Sequence, residues 1–385
     1  MKSIIEKDHI VVVSAFYPPI PGGSSVIVKN LLKGLNTDSY TVYTNSPSFK
    51  NISEQKNVIF GMKALPNFPF KSRFEAYWQK IQYKSALRNL IKICRDTKAT
   101  KIIGIYPDYL YLKLALEASA ELNLPLISYL HDTISEGLAH TEYSRDALAL
   151  QTNIFKESKY IFVMSEGMKN LYQKKYKINV DVLEHSYPEE QLGIDYNPAV
   201  PLDNFFWGGA IYKINKNSLS RVFNCATNLN INVEVAAELS LNYLAKSGFN
   251  TTNIKINNYS RKEYLKALSS KGILILSLDW TDESPVHEDE LATIFPTKTI
   301  EYLNSGRPIL VYCPQNYFLA DFFIKNKCGY VVTSRESNLL EQGIKTLLTN
   351  HILNAEMVKN AIDTAQLFNH GRVQGKFLHV INNLD

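Results

Sequence analysis

No run of apolar residues in this chain approaches the roughly 18–20 needed to cross a bilayer, so a helical membrane span is not expected. Cysteine is scarce. Cys94, Cys225, Cys313 and Cys328 stand far apart, with no pair at metal or redox spacing. That argues against a disulfide framework or a zinc site and for reduced, buried thiols in the cytoplasm. No large excess of either charge is present. The net charge of +5 over 385 residues suits a phosphorylated ligand or an anionic surface and falls short of a nucleic-acid-binding signature. Neither a G-x-G-x-x-G fingerprint nor a Walker A loop occurs, and short repeats and low-complexity tracts are absent. The opening MKSIIEKDHIVVVSAF runs into a strand pattern without a small-residue cleavage site, which is not the form of a secretory signal.

What is present is ordinary globular material, 45% hydrophobic and 21% charged. The length suggests two domains. Short apolar runs alternate with longer amphipathic stretches. His9–Val13, Thr41–Tyr43, Lys101–Ile105, Pro125–Leu130 and Tyr160–Met164 read as strands. Helical spacing recurs over Val26–Leu35, Ala86–Cys94, Leu110–Leu122 and Met168–Tyr176. Pro188, Gly193, Asn197, Pro198 and Pro201 then cluster as a linker, after which the alternation restarts at Asn204–Trp207. Such β-then-α alternation predicts an α/β protein with mostly parallel sheets. The expected domains are 1–200, with about 366–385 crossing back, and 201–365.

Candidate chemistry sits where strands give way to helices. The richest segment is Phe295 to Tyr312. Thr297 and Lys298 put a hydroxyl and an ammonium at a predicted helix start, a natural phosphate site. Glu301 follows on the same helix face, where its carboxylate can accept from a ribose diol. Gly306 and Pro308 form the helix stop, and Ile309–Tyr312 reads as a buried strand. Two glycine pairs, Gly22-Gly23 and Gly208-Gly209, each follow a strand and allow backbone near a ligand. Tyr212, Lys213 and Lys216 lie just beyond the second pair. His131 ends the Pro125–Leu130 strand. Asp289 and Glu290 close an acidic insert that begins at Asp279, and no ligand spacing there supports a metal. Between Lys71 and Lys101, nine Lys and Arg residues interleave with Phe74, Tyr77, Trp78 and Ile81. This basic amphipathic stretch fits an anionic membrane surface or a plain solvated helix face.

The ordered set Tyr17-Pro18-Pro19 with Gly22-Gly23, Ser165-Glu166-Gly167-Met168, Gly208-Gly209-Ala210-Ile211-Tyr212 and Pro296-Thr297-Lys298 with Glu301 and Gly306-Arg307-Pro308 resembles the retaining glycosyltransferases of the GT-B fold, group 1 or family 4. The resemblance implies two Rossmann-like domains facing across a cleft, with a C-terminal helix packing back on the first. It implies hexose transfer from a nucleotide diphosphate sugar (UDP or GDP) to a saccharide or polyprenyl-linked acceptor, in bacterial surface polysaccharide assembly. Retention, no metal and no cofactor beyond the sugar nucleotide follow; the expected location is the cytoplasm, with a peripheral contact at the inner face of the membrane through 71–101 as a separate expectation. By carry-over, Gly22 and Gly23 approach the reacting diphosphate and His131 faces the sugar or acceptor. Thr297 and Lys298 bind diphosphate, Glu301 holds the ribose, and Gly209 and Tyr212 line the donor. Two departures stand out. Thr293 occupies the place, eight residues before Glu301, where the family pattern has a carboxylate. Ala210 and Asn215 replace a familiar Arg and Lys. Glu290 or Asp289 is then expected to meet the sugar, and Lys213, Lys216 or Lys298 to supply the charge. A nucleotide-sugar epimerase and a non-catalytic GT-B partner subunit are the alternatives.

Overall fold

The computed structural model describes residues 8–20, 22–46, 56–63, 73–187 and 193–384. Pro21, Lys71 and Pro188 lie outside the described residues. The chain divides into two compact units, Met1–Ser186 with His370–Asp385, and Tyr187–Asn369.

In chain order the first unit runs β1 (Ile10–Val13), α1 (Gly23–Leu32), β2 (Tyr40–Ser46), β3 (Val58–Lys63), α2 (Arg73–Asp96), β4 (Lys101–Tyr106), α3 (Tyr109–Leu122), β5 (Leu126–Leu130), α4 (Ser144–Glu157), β6 (Tyr160–Val163), α5 (Glu166–Tyr176) and β7 (Asp181–Val182). Its strands form a parallel seven-stranded sheet in the order β3-β2-β1-β4-β5-β6-β7. β1 and β5 are buried throughout, as strands covered by helices on both faces must be. Local chemistry starts the helices. Asp108 accepts from the Tyr111 N–H at 2.9 Å to cap α3, and Ser165 accepts from the Met168 N–H at 3.2 Å to cap α5, each satisfying a donor that the first turn leaves open.

The second unit runs β8 (Asn204–Gly208), α6 (Lys216–Asn228), β9 (Asn232–Ala236), α7 (Leu241–Lys246), β10 (Ile254–Asn257), α8 (Arg261–Leu268), β11 (Ile273–Ser277), α9 (Glu288–Thr293), α10 (Thr299–Leu303), β12 (Ile309–Tyr312), α11 (Phe318–Asn326), β13 (Tyr330–Val332), α12 (Ser337–Thr349) and α13 (His351–Ala365). Its six strands are again parallel, in the order β10-β9-β8-β11-β12-β13. Alternate residues of β8 feed opposite faces, Phe205 and Trp207 into one core and Phe206 into the other. The last helix, α14 (His370–Asn383), returns to the first unit. Val373, Phe377 and Ile381, spaced four apart, bury one stripe of it in that core, the pattern of an amphipathic helix. Gln374 Nε2 donates to the Leu31 and Lys33 carbonyls at 3.0 and 2.7 Å.

The described part of the expected linker is not loose. Arg307, only 2% exposed, lies beneath it. Its guanidinium donates to the carbonyls of Gly272, Asn197 and Val200 at 3.1–3.2 Å and of Pro201 at 3.4 Å. No carboxylate pairs with it among the described residues; backbone carbonyls carry the solvation instead, and burial lowers the pKa of this guanidinium. Removing the donor orphans several buried carbonyls together. Arg307→Leu is therefore expected to lower stability by about 3 kcal/mol in urea unfolding; a loss below about 1 kcal/mol would mean those carbonyls find water.

Candidate functional site

In an open parallel sheet, ligands bind beyond the carboxyl ends of the strands where the strand order reverses. In the second unit that point lies between β8 and β11. β8 ends at Gly208, and three side chains converge on it. The Lys298 ammonium donates to the Gly208 carbonyl at 2.8 Å and sits 3.0 Å from the centroid of the Trp207 ring. The Gly208 N–H donates to Tyr302 Oη at 2.9 Å. A Cβ at position 208 would lie 2.2 Å from Tyr264 Oη, so only glycine allows α8 this close to the strand end. Trp207 Nε1–H in turn donates to the Gly209 carbonyl at 2.9 Å, and Gly209 N–H to Ala236 at 2.8 Å. Gly209 thus stands at the exposed tip of a well-fixed turn.

Burial pushes the Lys298 pKa well below the ordinary ammonium value, with Glu301 opposing the shift. The carbonyl and the indole face are what stabilise its charge in place. Glu301, one turn on, has a side chain only 12% exposed and pairs with the Arg261 guanidinium. Burial raises its pKa, and Arg261 is the largest opposing influence. Arg261 opens α8, whose start is locked by a capping box between Ser260 and Glu263. A partly desolvated ammonium beside a buried carboxylate can hold a diphosphate and a diol side by side.

The helix bearing these groups is shorter than the sequence suggested. α10 begins at Thr299, because Pro296 through Lys298 form a turn in which the Thr299 N–H donates to the Pro296 carbonyl at 2.9 Å. Lys298 is its N-cap, and Thr297 is exposed outside it.

The neighbouring loop holds a surprise. Asp279, fully buried, accepts from the N–H groups of Asn217 and Ser218 at 3.1 and 2.7 Å and from Asn217 Nδ2 at 3.0 Å. The start of α6 is therefore satisfied by a side chain from beyond β11. Lys213 and Lys216, flanking it, are exposed, as is Tyr212, whose N–H donates to Asn215 Oδ1 at 2.9 Å. The acidic insert is also less solvated than its composition implied. Glu283 makes a bidentate pair with Arg221 at 2.7 and 2.9 Å, and Arg221 stacks on Trp280 at 4.9 Å. Glu290 is part-buried in α9, and its carbonyl accepts from the Thr293 hydroxyl at 3.0 Å.

In the first unit the strand order reverses between β1 and β4. Gly22 precedes α1 with φ of 133°, a conformation closed to most side chains. Gly23 and Ser24 open the helix. His131, just past β5, donates its N–H to the Tyr106 carbonyl at 3.2 Å, and its Nδ1 lies 3.0 Å from Ser24 Oγ. The imidazole packs edge-on against Tyr129, 4.4 Å between centroids, and its Nε2 has no hydrogen-bond partner among the described residues. The fold thus gathers His131 with Gly22, Gly23 and Ser24 in one unit. In the other it gathers Lys298 and Glu301 with Gly208-Gly209. Lys213 and Lys216 stand apart from the buried cluster. Sequence reading missed Arg261, Tyr264, Tyr302 and Asp279. The capping-box spacing after Ser260 marked the start of α8, but nothing local linked Arg261 to a residue forty positions on.

No protein-family model and no curated protein matches the chain. Solved structures do, over nearly the full length. A sucrose-phosphate synthase from Thermosynechococcus elongatus superposes with a TM-score of 0.71 at 13% identity, covering 98% of this chain and 99% of the other. HepE from Anabaena, in complex with UDP and glucose, gives 0.69 at 13% identity over 98% and 100%. A glycosyltransferase from Rickettsia africae gives 0.62 at 14% over 98% and 99%. The chain has the GT-B fold. Identities this low speak to architecture alone.

Burial, and secondarily His185, lowers the His131 pKa from 6.5 to about 3. The imidazole is neutral at ordinary pH and works as a hydrogen-bonding group, not a cation. An unfolded chain binds this proton near pH 6.5 and the folded one does not, so stability falls as pH drops from about 6.5 toward 3. His131→Gln should remove up to about 2–3 kcal/mol of the stability difference between pH 7 and pH 4.5. Urea midpoints at the two pH values measure it, and an unchanged acid limb would show that His131 is not buried in this state.

Proposed function

We propose that this chain is a glycosyltransferase. It moves a hexose from a UDP- or GDP-sugar to a saccharide or lipid-linked acceptor in bacterial surface polysaccharide assembly, with retention and without a metal. The observation carrying this reading is the ammonium of Lys298, held on Trp207 and Gly208 at the switch point of the second unit with the Glu301 carboxylate one turn away. The named glycosyltransferase and the UDP-bound HepE among the similar structures support it.

The chemistry asked of these residues is modest. The bond from the sugar's anomeric carbon to the diphosphate breaks, and the acceptor oxygen bonds to that carbon. The acceptor proton leaves with the diphosphate. Charge builds on the departing phosphate oxygens, and Lys298 at the switch point is the cation assigned to meet it. Partial burial strengthens that interaction over its value in water. Glu301 accepts from the ribose diol and fixes the nucleotide. Neutral His131 and the Gly22-Gly23 turn address sugar or acceptor hydroxyls. Lys298→Ala should lower kcat by about 10²–10³-fold. Glu301→Ala should weaken UDP or GDP binding by about ten- to hundredfold while the protein stays folded. Binding of neither nucleotide by folded wild type would overturn the reading, and an epimerised sugar released without acceptor would replace it with an epimerase.

The same reading includes a peripheral membrane contact. Helix α2 exposes Lys80, Lys84, Arg88 and Lys92 together with Trp78 at 46% and Ile81 at 39%. Exposed aromatic and aliphatic groups amid lysines suit an anionic lipid interface. No helix among the described residues is long and apolar enough to cross a membrane. Co-sedimentation with phosphatidylglycerol vesicles should be strong at low salt and fall several-fold at 0.5 M salt or in Lys84→Glu/Arg88→Glu. Salt-independent recovery would remove this contact from the reading.

A further inference from the structure

Arg261 stands out because nothing in the proposed chemistry calls for it, yet it faces the carboxylate that chemistry depends on. Glu301 is enclosed from three sides. Arg261 and Tyr264 come from α8, and Lys298 and Tyr302 from its own turn. Tyr187 lies close enough to feel its charge. Of these, Arg261 is the one with a direct ion pair to Glu301. Its own position is fixed twice. The capping box at Ser260 sets the first turn of α8, and the guanidinium lies over the Tyr264 ring, 5.9 Å from the centroid.

We propose that Arg261 is a positioning residue for the nucleotide site, its ion pair keeping Glu301 in the ionised form so that the carboxylate can accept from the ribose hydroxyls. The inference rests on the reading that Glu301 meets the ribose of a nucleoside diphosphate. A carboxylate accepts two diol hydrogen bonds, whereas a protonated carboxyl gives up one acceptor position to its own proton. Burial alone favours the protonated form, and an adjacent guanidinium is the strongest available counterweight. Because the guanidinium keeps its charge across the working range, the ribose acceptor stays competent at every pH at which the fold is stable. Arg261 is also half-exposed, at 51% of its side chain, so it can be replaced without opening a cavity in the core.

The test is the pH profile of UDP and GDP binding, measured by calorimetry from pH 5 to 8.5. Wild type should lose affinity at low pH only as far as the nucleotide's own terminal phosphate takes up a proton, at about pH 6. Arg261→Met should match wild type at pH 8.5 within about threefold and lose affinity as pH falls, its acid limb lying about one to three pH units higher. Arg261→Lys should restore most of the wild-type profile. Arg261→Met/Glu301→Gln should be weak at every pH and show no acid limb beyond that of wild type, since the carboxyl that would shift is gone. An Arg261→Met profile parallel to wild type, or an equal loss at every pH, would overturn the proposal, the second outcome marking Arg261 as a direct ligand contact. Failure of wild type to bind either nucleotide would overturn the ribose reading itself. Full wild-type affinity in Glu301→Ala would do the same, so the two failures are separable.

Discussion

The Arg261–Glu301 pairing of the second unit depends on a missing side chain at the end of β8. With no Cβ on Gly208, the hydroxyls of Tyr264 and Tyr302 reach the strand's backbone. That contact draws the starts of α8 and α10 against the switch point. Arg261 and Glu301 then meet across forty residues of chain, and at the same strand end Lys298 finds a carbonyl and an indole face. An alanine at position 208 would strike the Tyr264 ring, so α8 and the Arg261 it carries would have to shift. Packing here precedes electrostatics: the charges are where they are because a tight backbone approach put them there.

The two units share a strand order and differ in what they build at its reversal. At the second unit's edge sit Arg261, Lys298 and Glu301, and desolvation works against each charge there while the other charges compensate. The first unit's edge carries a neutral imidazole, a serine hydroxyl and bare glycine backbone. One edge is suited to an anion with a diol, the other to uncharged hydroxyl groups. A reaction whose leaving group is charged and whose acceptor is not needs that division. Nor does the second unit rely on the usual device for anions, because Asp279 already occupies the donors at the start of α6. A phosphate near Lys213 and Lys216 would find the helix donors taken and a carboxylate in the way. Under the proposed function, that leaves Lys298 as the cation assigned to the diphosphate.

The architecture was legible because parallel strands covered on both faces are written as unbroken apolar runs. Ile10–Val13 and Ile273–Ser277 are such runs, and the periodic stripes between them mark the covering helices. The misses have physical reasons. α4 escaped notice because its buried stripe of Ala147, Leu150, Gln151 and Ile154 includes an amide that bonds to Ser135. β3 is interrupted by Gly61, where a side chain would strike Tyr43. The Phe295–Tyr312 segment was read one turn too long because proline tolerance in a first turn does not distinguish a helix from the turn that precedes one. Of the site, the residue types at 298 and 301 could be read locally. Arg261, Tyr264 and Tyr302 could not, since their role is a contact between helices and leaves no periodic trace.

Thr293 illustrates how far local chemistry can carry the question of the sugar. It is the last residue of a six-residue helix and is buried, and its hydroxyl closes onto the Glu290 carbonyl. A carboxylate placed there would face the negative end of the helix dipole, an unfavourable pairing. Three acids instead occupy the first turn of α9, Glu288, Asp289 and Glu290, where the dipole favours them. The arrangement exchanges an acid at the wrong end of a short helix for acids at the right end. Under the proposed function, the carboxylate that meets the sugar is expected from this first turn of α9, where Asp289 and Glu290 stand.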